Sequence, residues 1–152
     1  MPGPSRTAFR LSQLGNFAAA RFAELTRSLG LTPSDAGVLR LLGREPGISQ
    51  RGLADRLGAV PSRVVVLIDS MERRGLVTRT RSSTDRRTQE LTLTEQGQHA
   101  LLQLRGLAQE HDAAVLAPLT QEEREQLVAL LAKLSEGHRL DPDVHPGYRD
   151  SA

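Results

Sequence analysis

The hydrophobic period of this chain changes at Gly75, and few folds accommodate such a change. Before it, Val64, Leu67, Ile68 and Met71 stand at i, i+3, i+4 and i+7, the stripe of a helix with one buried side. After it, residues 76–81 and 89–94 alternate in character and are rich in Val and Thr, as half-buried strands are. The polar segment 82–88 between them contains Asp85, Arg86 and Arg87. The pattern predicts a helix that stops at Gly75 and runs directly into a hairpin with a basic tip.

The rest of the chain reads as helices. Phe9, Leu11, Leu14, Phe17, Phe22, Leu25 and Leu29 predict a long helix over 9–29, closed by Gly30. Thr32 and Pro33 form the N-cap and first position of a second, with Val38, Leu39, Leu41 and Leu42 on its apolar side. Ser49 caps a short third helix that buries Leu53, Ala54 and Leu57 and ends at Gly58, and Pro61 opens the striped fourth. Thr94 caps a fifth, running to about 116 before Pro118. Thr120 and Glu123 have the spacing of a capping box for a sixth, which carries Leu127, Leu130, Leu131 and Leu134 and ends at Gly137. The expected class is mostly α with a small β-hairpin.

Charge is unevenly placed. The net formal charge is only +2, yet residues 49–87 carry +5 and residues 95–136 carry −4. The first segment suits a polyanion and the second does not. Other function classes find little support. Without cysteine there is no disulfide, thiol switch or Cys-bound metal. His99, His111, His138 and His145 lack metal-ligand spacing. No phosphate-binding glycine loop or nucleophile elbow occurs, so neither an enzyme nor a cofactor is expected. No apolar run approaches the roughly 20 residues of a membrane span, and the N-terminus lacks a secretory segment, so a cytoplasmic protein without membrane attachment is expected.

Two short helices joined by Gly58, Ala59, Val60 and Pro61, followed by a basic hairpin, make a winged helix-turn-helix pattern. The major groove of B-DNA admits an α-helix, and a neighbouring hairpin can place Arg in the minor groove, where negative potential is concentrated. Arg86 and Arg87 are then the leading contacts. Asp85 either holds Arg87 and the hairpin in place or makes a generic Asx turn. On the fourth helix Ser62, Arg63, Val65, Val66, Asp69 and Ser70 face outward; Pro61 at its start, Ser62, Arg63, Val65 and Val66 are candidate DNA contacts, and Arg63 suits a guanine edge or a phosphate. Three consecutive valines cannot all face one core. With Val64 in the stripe, Val65 or Val66 is exposed to thymine methyl groups, or one packs against the second helix. Ser49, Gln50 and Arg51 begin the third helix, where anions are favoured, although capping alone accounts for Ser49. Arg79 and Arg81 on the first strand reach the DNA backbone, or at least one is simply solvated.

Across residues 9–136 the chain resembles the MarR family of bacterial transcriptional regulators. Asp85, Arg87, Leu91, Leu93 and Thr94 match the family's DxRxxxLxLT wing at every fixed position. Leu57, Gly58, Asp69, Glu72, Gly75, Leu76 and Val77 also sit where the family has them. The departures are Val60, where Ser is common, and Val65 and Val66, where Thr or Arg is common. The resemblance implies a homodimer on a pseudo-palindromic site in double-stranded DNA, acting as a repressor released by a small aromatic or anionic effector. It divides residues 9–136 into a helical dimerisation region (9–31 and 95–136) and the winged helix-turn-helix (32–94); the Pro- and Gly-containing ends read by composition as a flexible leader (1–8) and a loose tail (137–152). An effector pocket would be lined by Phe9, Leu14, Phe17 and Phe22, or by residues of the second helix; the alternative is that these residues form ordinary dimer core. Two other readings remain: a low-specificity DNA binder, and a protein-interaction module that has lost DNA binding.

Overall fold

The computed structural model describes residues 6–145 and 148. Its elements are α1 (Thr7–Ser28), α2 (Pro33–Arg44), β1 (Ile48–Ser49), α3 (Gln50–Leu57), α4 (Pro61–Arg73), β2 (Val77–Arg81), β3 (Gln89–Leu93), α5 (Glu95–Val115) and α6 (Gln121–Gly137). The first helix begins at Thr7, inside the expected leader; residues 1–5 lie outside the described residues. The other helices and the hairpin stand where their caps and periods place them. β1 was not expected. It pairs Ile48 with Leu91 and Ser49 with Glu90, which extends the hairpin to an antiparallel sheet of order β1-β3-β2. Two residues have no period of their own, so such a strand is specified only by the edge that β3 offers.

The helix starts are held by the predicted side chains. Thr32 and Asp35 cap reciprocally at 3.1 and 2.9 Å. Thr120 and Glu123 do the same at 3.2 and 2.8 Å. Ser49 accepts from the Gly52 amide at 2.9 Å, and Thr94 from that of Gly97 at 3.0 Å. Each satisfies an amide that the helix itself leaves open, worth about 1 kcal/mol. Gly75, at φ 71°, turns the chain from α4 into β2 through the left-handed region that favours glycine. Its carbonyl accepts from the Thr94 hydroxyl at 2.5 Å, so the ends of α4 and β3 meet there.

The core lies between α2 and α5. Leu39, Leu42, Leu53, Leu57, Val64, Ile68, Met71, Val77, Leu91 and Leu104 are each less than 2% exposed. The outer helices contribute almost nothing to it: α1 buries only Thr26 and α6 buries no residue. Phe9, Leu11, Leu14 and Phe17 on α1, and Val128, Leu130, Leu131 and Leu134 on α6, are exposed. Among the described residues, no helix is long and apolar enough to cross a membrane.

The described part of the C-terminal segment is not the loose tail its composition implied. Arg56 of α3 pairs with Asp141 at 3.0 Å, and Arg44 of α2 pairs with Asp143. The Tyr148 hydroxyl donates to the Ser34 carbonyl at 2.5 Å, and its ring lies where a side chain at Gly37 would stand. These partners are 85 or more residues away in the chain, beyond the reach of any local pattern. Burial pushes the Tyr148 phenol up to about 12; nearby Arg40 opposes this and Asp35 adds to it. The neutral phenol is therefore preferred in the fold. Its contribution is fully present below the ordinary value of about 10 and is lost as the pH rises through about 12. The chain has one Tyr and no Trp, so ultraviolet absorbance follows this group alone. The native protein should form tyrosinate with a midpoint near 12. The urea-unfolded chain and Gly37→Ala should do so near 10, the usual range for tyrosine. A native midpoint near 10 would show that the tail is not seated.

Candidate nucleic-acid interface

Helix α4 turns two sides to two tasks. Val64, Ile68 and Met71 are buried, while Pro61, Ser62, Arg63, Val65, Val66 and Asp69 are exposed. The sequence left open whether one of Val65 and Val66 packs against α2. Neither is buried: Val65 is 38% exposed and Val66 is 67% exposed. Val60, the N-cap residue, is exposed as well and its side chain makes no cap. Pro61 supplies the first position of the helix, where its missing amide costs nothing. At the start of α3, Ser49 is a cap, Gln50 is partly buried and Arg51 is exposed.

The wing tip is shaped by Asp85. Its carboxylate accepts from the Arg87 amide at 3.0 Å and from the Thr88 hydroxyl at 3.2 Å, and its carbonyl accepts from the Thr88 amide at 2.9 Å. Asp85 therefore makes an Asx turn and, by the same bonds, holds the Arg87 backbone; the two readings of the sequence coincide. Ser82, buried at the base of the tip, closes the loop through its amide on the Thr88 carbonyl at 2.9 Å. Arg86 and Arg87 are left exposed on a constrained turn, and Arg81 is exposed at the end of β2.

Arg79 corrects the sequence reading. It was a candidate for the DNA backbone, but its side chain is only 15% exposed. Its guanidinium meets Asp69 at 2.6 Å and Glu72 at 2.7 Å, both on α4, and Gln50 of α3 at 3.0 Å. Burial alone would lower its pKa, but the bonds to Asp69 and then Glu72 outweigh that and hold it above the ordinary value. Arg79 thus ties the wing to α4 and α3. Arg74, the C-cap residue of α4, plays a similar part toward α2. It forms a two-pronged pair with Asp35 of α2 at 2.8 and 3.0 Å, and Asp35 is itself buried. The sequence signal for Arg79 was present in Asp69 and Glu72, three residues apart on one helix side, but nothing local named their partner.

Of the effector-pocket candidates on α1, Phe9, Leu14 and Phe17 are more than half exposed. Phe22 packs on the core, with its ring 5.7 Å from that of His111. The main cavity lies elsewhere, between α2 and α4. Its volume is about 800 Å³, and Ser34, Asp35, Ser62, Arg63, Val66, Arg74 and Tyr148 are among its lining residues.

Comparison with known proteins places this geometry. Residues 29–88 match the profile of the MarR family. A Thauera aromatica protein assigned to transcriptional regulation of the hcr operon is 33% identical over 90% of this chain and 81% of its own. The chain belongs to the MarR family. The transcriptional repressor MdtR of Bacillus subtilis is 30% identical over 74% of this chain and 72% of its own. Among solved structures, the transcriptional repressor CouR, bound to a 23-mer DNA duplex, superposes with a TM-score of 0.75 at 32% identity, covering 85% of this chain and 92% of that one. The Mycobacterium tuberculosis MarR family protein Rv2887, in complex with p-aminosalicylic acid, superposes with a TM-score of 0.70 at 26% identity, covering 86% and 99%. This chain is thus a transcriptional regulator of MarR type with the DNA-binding winged-helix fold. The curated relatives are regulators rather than enzymes, as expected for it.

The two classes of arginine should separate by stability. Arg79→Met removes a mostly buried cation whose partners are half-exposed, so the cost falls between that of surface and buried pairs, about 1–2 kcal/mol. Arg86→Ala at the exposed tip should change stability by less than about 0.5 kcal/mol. Urea denaturation of both variants checks this; equal costs would remove the anchoring role of Arg79.

Proposed function

We propose that this MarR-type regulator is a homodimeric repressor that binds a pseudo-palindromic operator and is released by a small aromatic or anionic effector. One observation carries the reading. Arg79 joins α4, α3 and the wing into one surface, from which Arg51, Arg63, Arg81, Arg86 and Arg87 are exposed. In this reading α4 lies in the major groove, with Ser62, Arg63, Val65 and Val66 toward the bases. Arg86 and Arg87 reach the adjacent minor groove or its phosphates, and Arg51 and Arg81 bind phosphates beside them.

The uncovered α1 and α6 support pairing. A helix that buries nothing in its own chain, yet presents Val128, Leu130, Leu131 and Leu134, is stable when a second copy covers it. Residues 9–31 and 95–136 then form the dimerisation region, and 32–94 the reading unit. Phe9, Leu14 and Phe17 belong with the pairing surface. The cavity between α2 and α4 fits an effector better: its volume is in the small-molecule range, and its lining combines apolar and polar side chains. Because Val66 and Ser62 line it too, an occupant there would bear directly on the DNA-facing helix. Acting inside the cell on DNA, such a protein is cytoplasmic.

Sedimentation should give two chains per particle, and Leu131→Glu with Leu134→Glu should shift it to one. Binding to duplexes selected from the host genome should exceed binding to random duplex by at least about 10³ at physiological salt. Arg86→Ala should flatten the salt dependence, lowering the slope by about 0.9 for each phosphate that the variant leaves unneutralised. Loss of the preference would mark a low-specificity binder, and no binding at low salt would mark an interaction module.

A further inference from the structure

We infer that Val66, assisted by Val65, selects operators by the C5-methyl groups of thymine, so that the half-site carries thymine where α4 enters the groove. The inference rests on the DNA-binding reading above and deepens it. The observation behind it is the apolar centre of the outward side of α4. Val60, Val65 and Val66 are 58%, 38% and 67% exposed, although Val64, Ile68 and Met71 already supply the buried stripe. None of the three belongs to the buried core. β-branched side chains are mediocre helix formers, and these three stand outside the core.

Their surroundings indicate the occupant. Ser62 and Asp69 lie one turn from Val65 and Val66 on the same side of the helix, Arg63 lies one turn before Val66 and Arg73 two turns after it, and each of these is exposed. A basic rim around an apolar centre matches a duplex groove, with phosphates at the edge, better than it matches an apolar protein surface. Valine can neither donate nor accept a hydrogen bond, so it cannot read base nitrogens or oxygens. The major groove displays one apolar group, the thymine methyl, and valine is shaped to touch it. Asp69 cannot supply a competing polar interaction at full strength, because its carboxylate is held by Arg79 at 2.6 Å.

The test is atomic. Duplexes are selected from a randomised pool by the full-length protein, and each thymine of one selected half-site is replaced singly by deoxyuridine, which lacks only the methyl. Affinity is read by fluorescence anisotropy. At one or two positions the wild type should lose about fourfold, the effect of one buried methyl-sized group. Val66→Ala should lose less than about twofold at the same positions. Val66→Thr, nearly the same shape, shows by its melting curve whether position 66 tolerates change, and keeps the result interpretable if the alanine variant misfolds. Specific binding with no sensitivity to deoxyuridine overturns the methyl reading and leaves DNA recognition standing. Equal sensitivity in wild type and Val66→Ala removes Val66 from the role. Failure to bind any duplex at low salt overturns both readings.

Discussion

One guanidinium holds the reading surface together. Arg79 leaves β2, turns inward and meets carboxylates from α4 and an amide oxygen from α3. A buried cation is tolerated only when such partners surround it, so the three elements have one low-energy arrangement. The wing cannot swing independently of α4 without breaking the pair. In the proposed reading, the two surfaces that meet adjacent grooves are thereby set in advance, which removes an ordering cost from binding. Arg74 and Asp35 extend the constraint to α2, the wall of the cavity.

That second pair links the two ends of the proposed regulation. The cavity borders Arg74 and Asp35 on one side and Ser62 and Val66 on the other. The residues that set the angle of α4 and one that faces outward for DNA therefore share a single space. The folded tail adds Tyr148 to the same wall, held by the Ser34 carbonyl. In the proposed regulation, a small change in packing there would move α4 as a unit, because the core beneath it is close-packed.

The outer helices show a different constraint. A chain of this length can bury a full core, yet this one confines it to the middle of the sequence and leaves α1 and α6 apolar and uncovered. The cost of that exposure falls on the single chain. A symmetric partner removes it, which is the physical argument for pairing and the reason the aromatic side chains of α1 are better placed at a seam than in a pocket.

By itself the sequence determined the six helices, the hairpin and their order. Caps at Thr32, Ser49, Thr94 and Thr120, the stop at Gly75 and the change of period there are local, and local interactions are legible in a string of residues. It also determined the basic wing tip, whose Asx turn closes within three residues. Tertiary structure alone decided what the long side chains do. Arg79, Arg86 and Arg87 look alike in the sequence; one is half-buried against Asp69 and Glu72, and the others stand exposed. The strand β1, the seating of Tyr148 and the Arg56–Asp141 pair were hidden for the same reason. Each joins residues far apart in the chain, and no period or cap records a partner that only folding brings near.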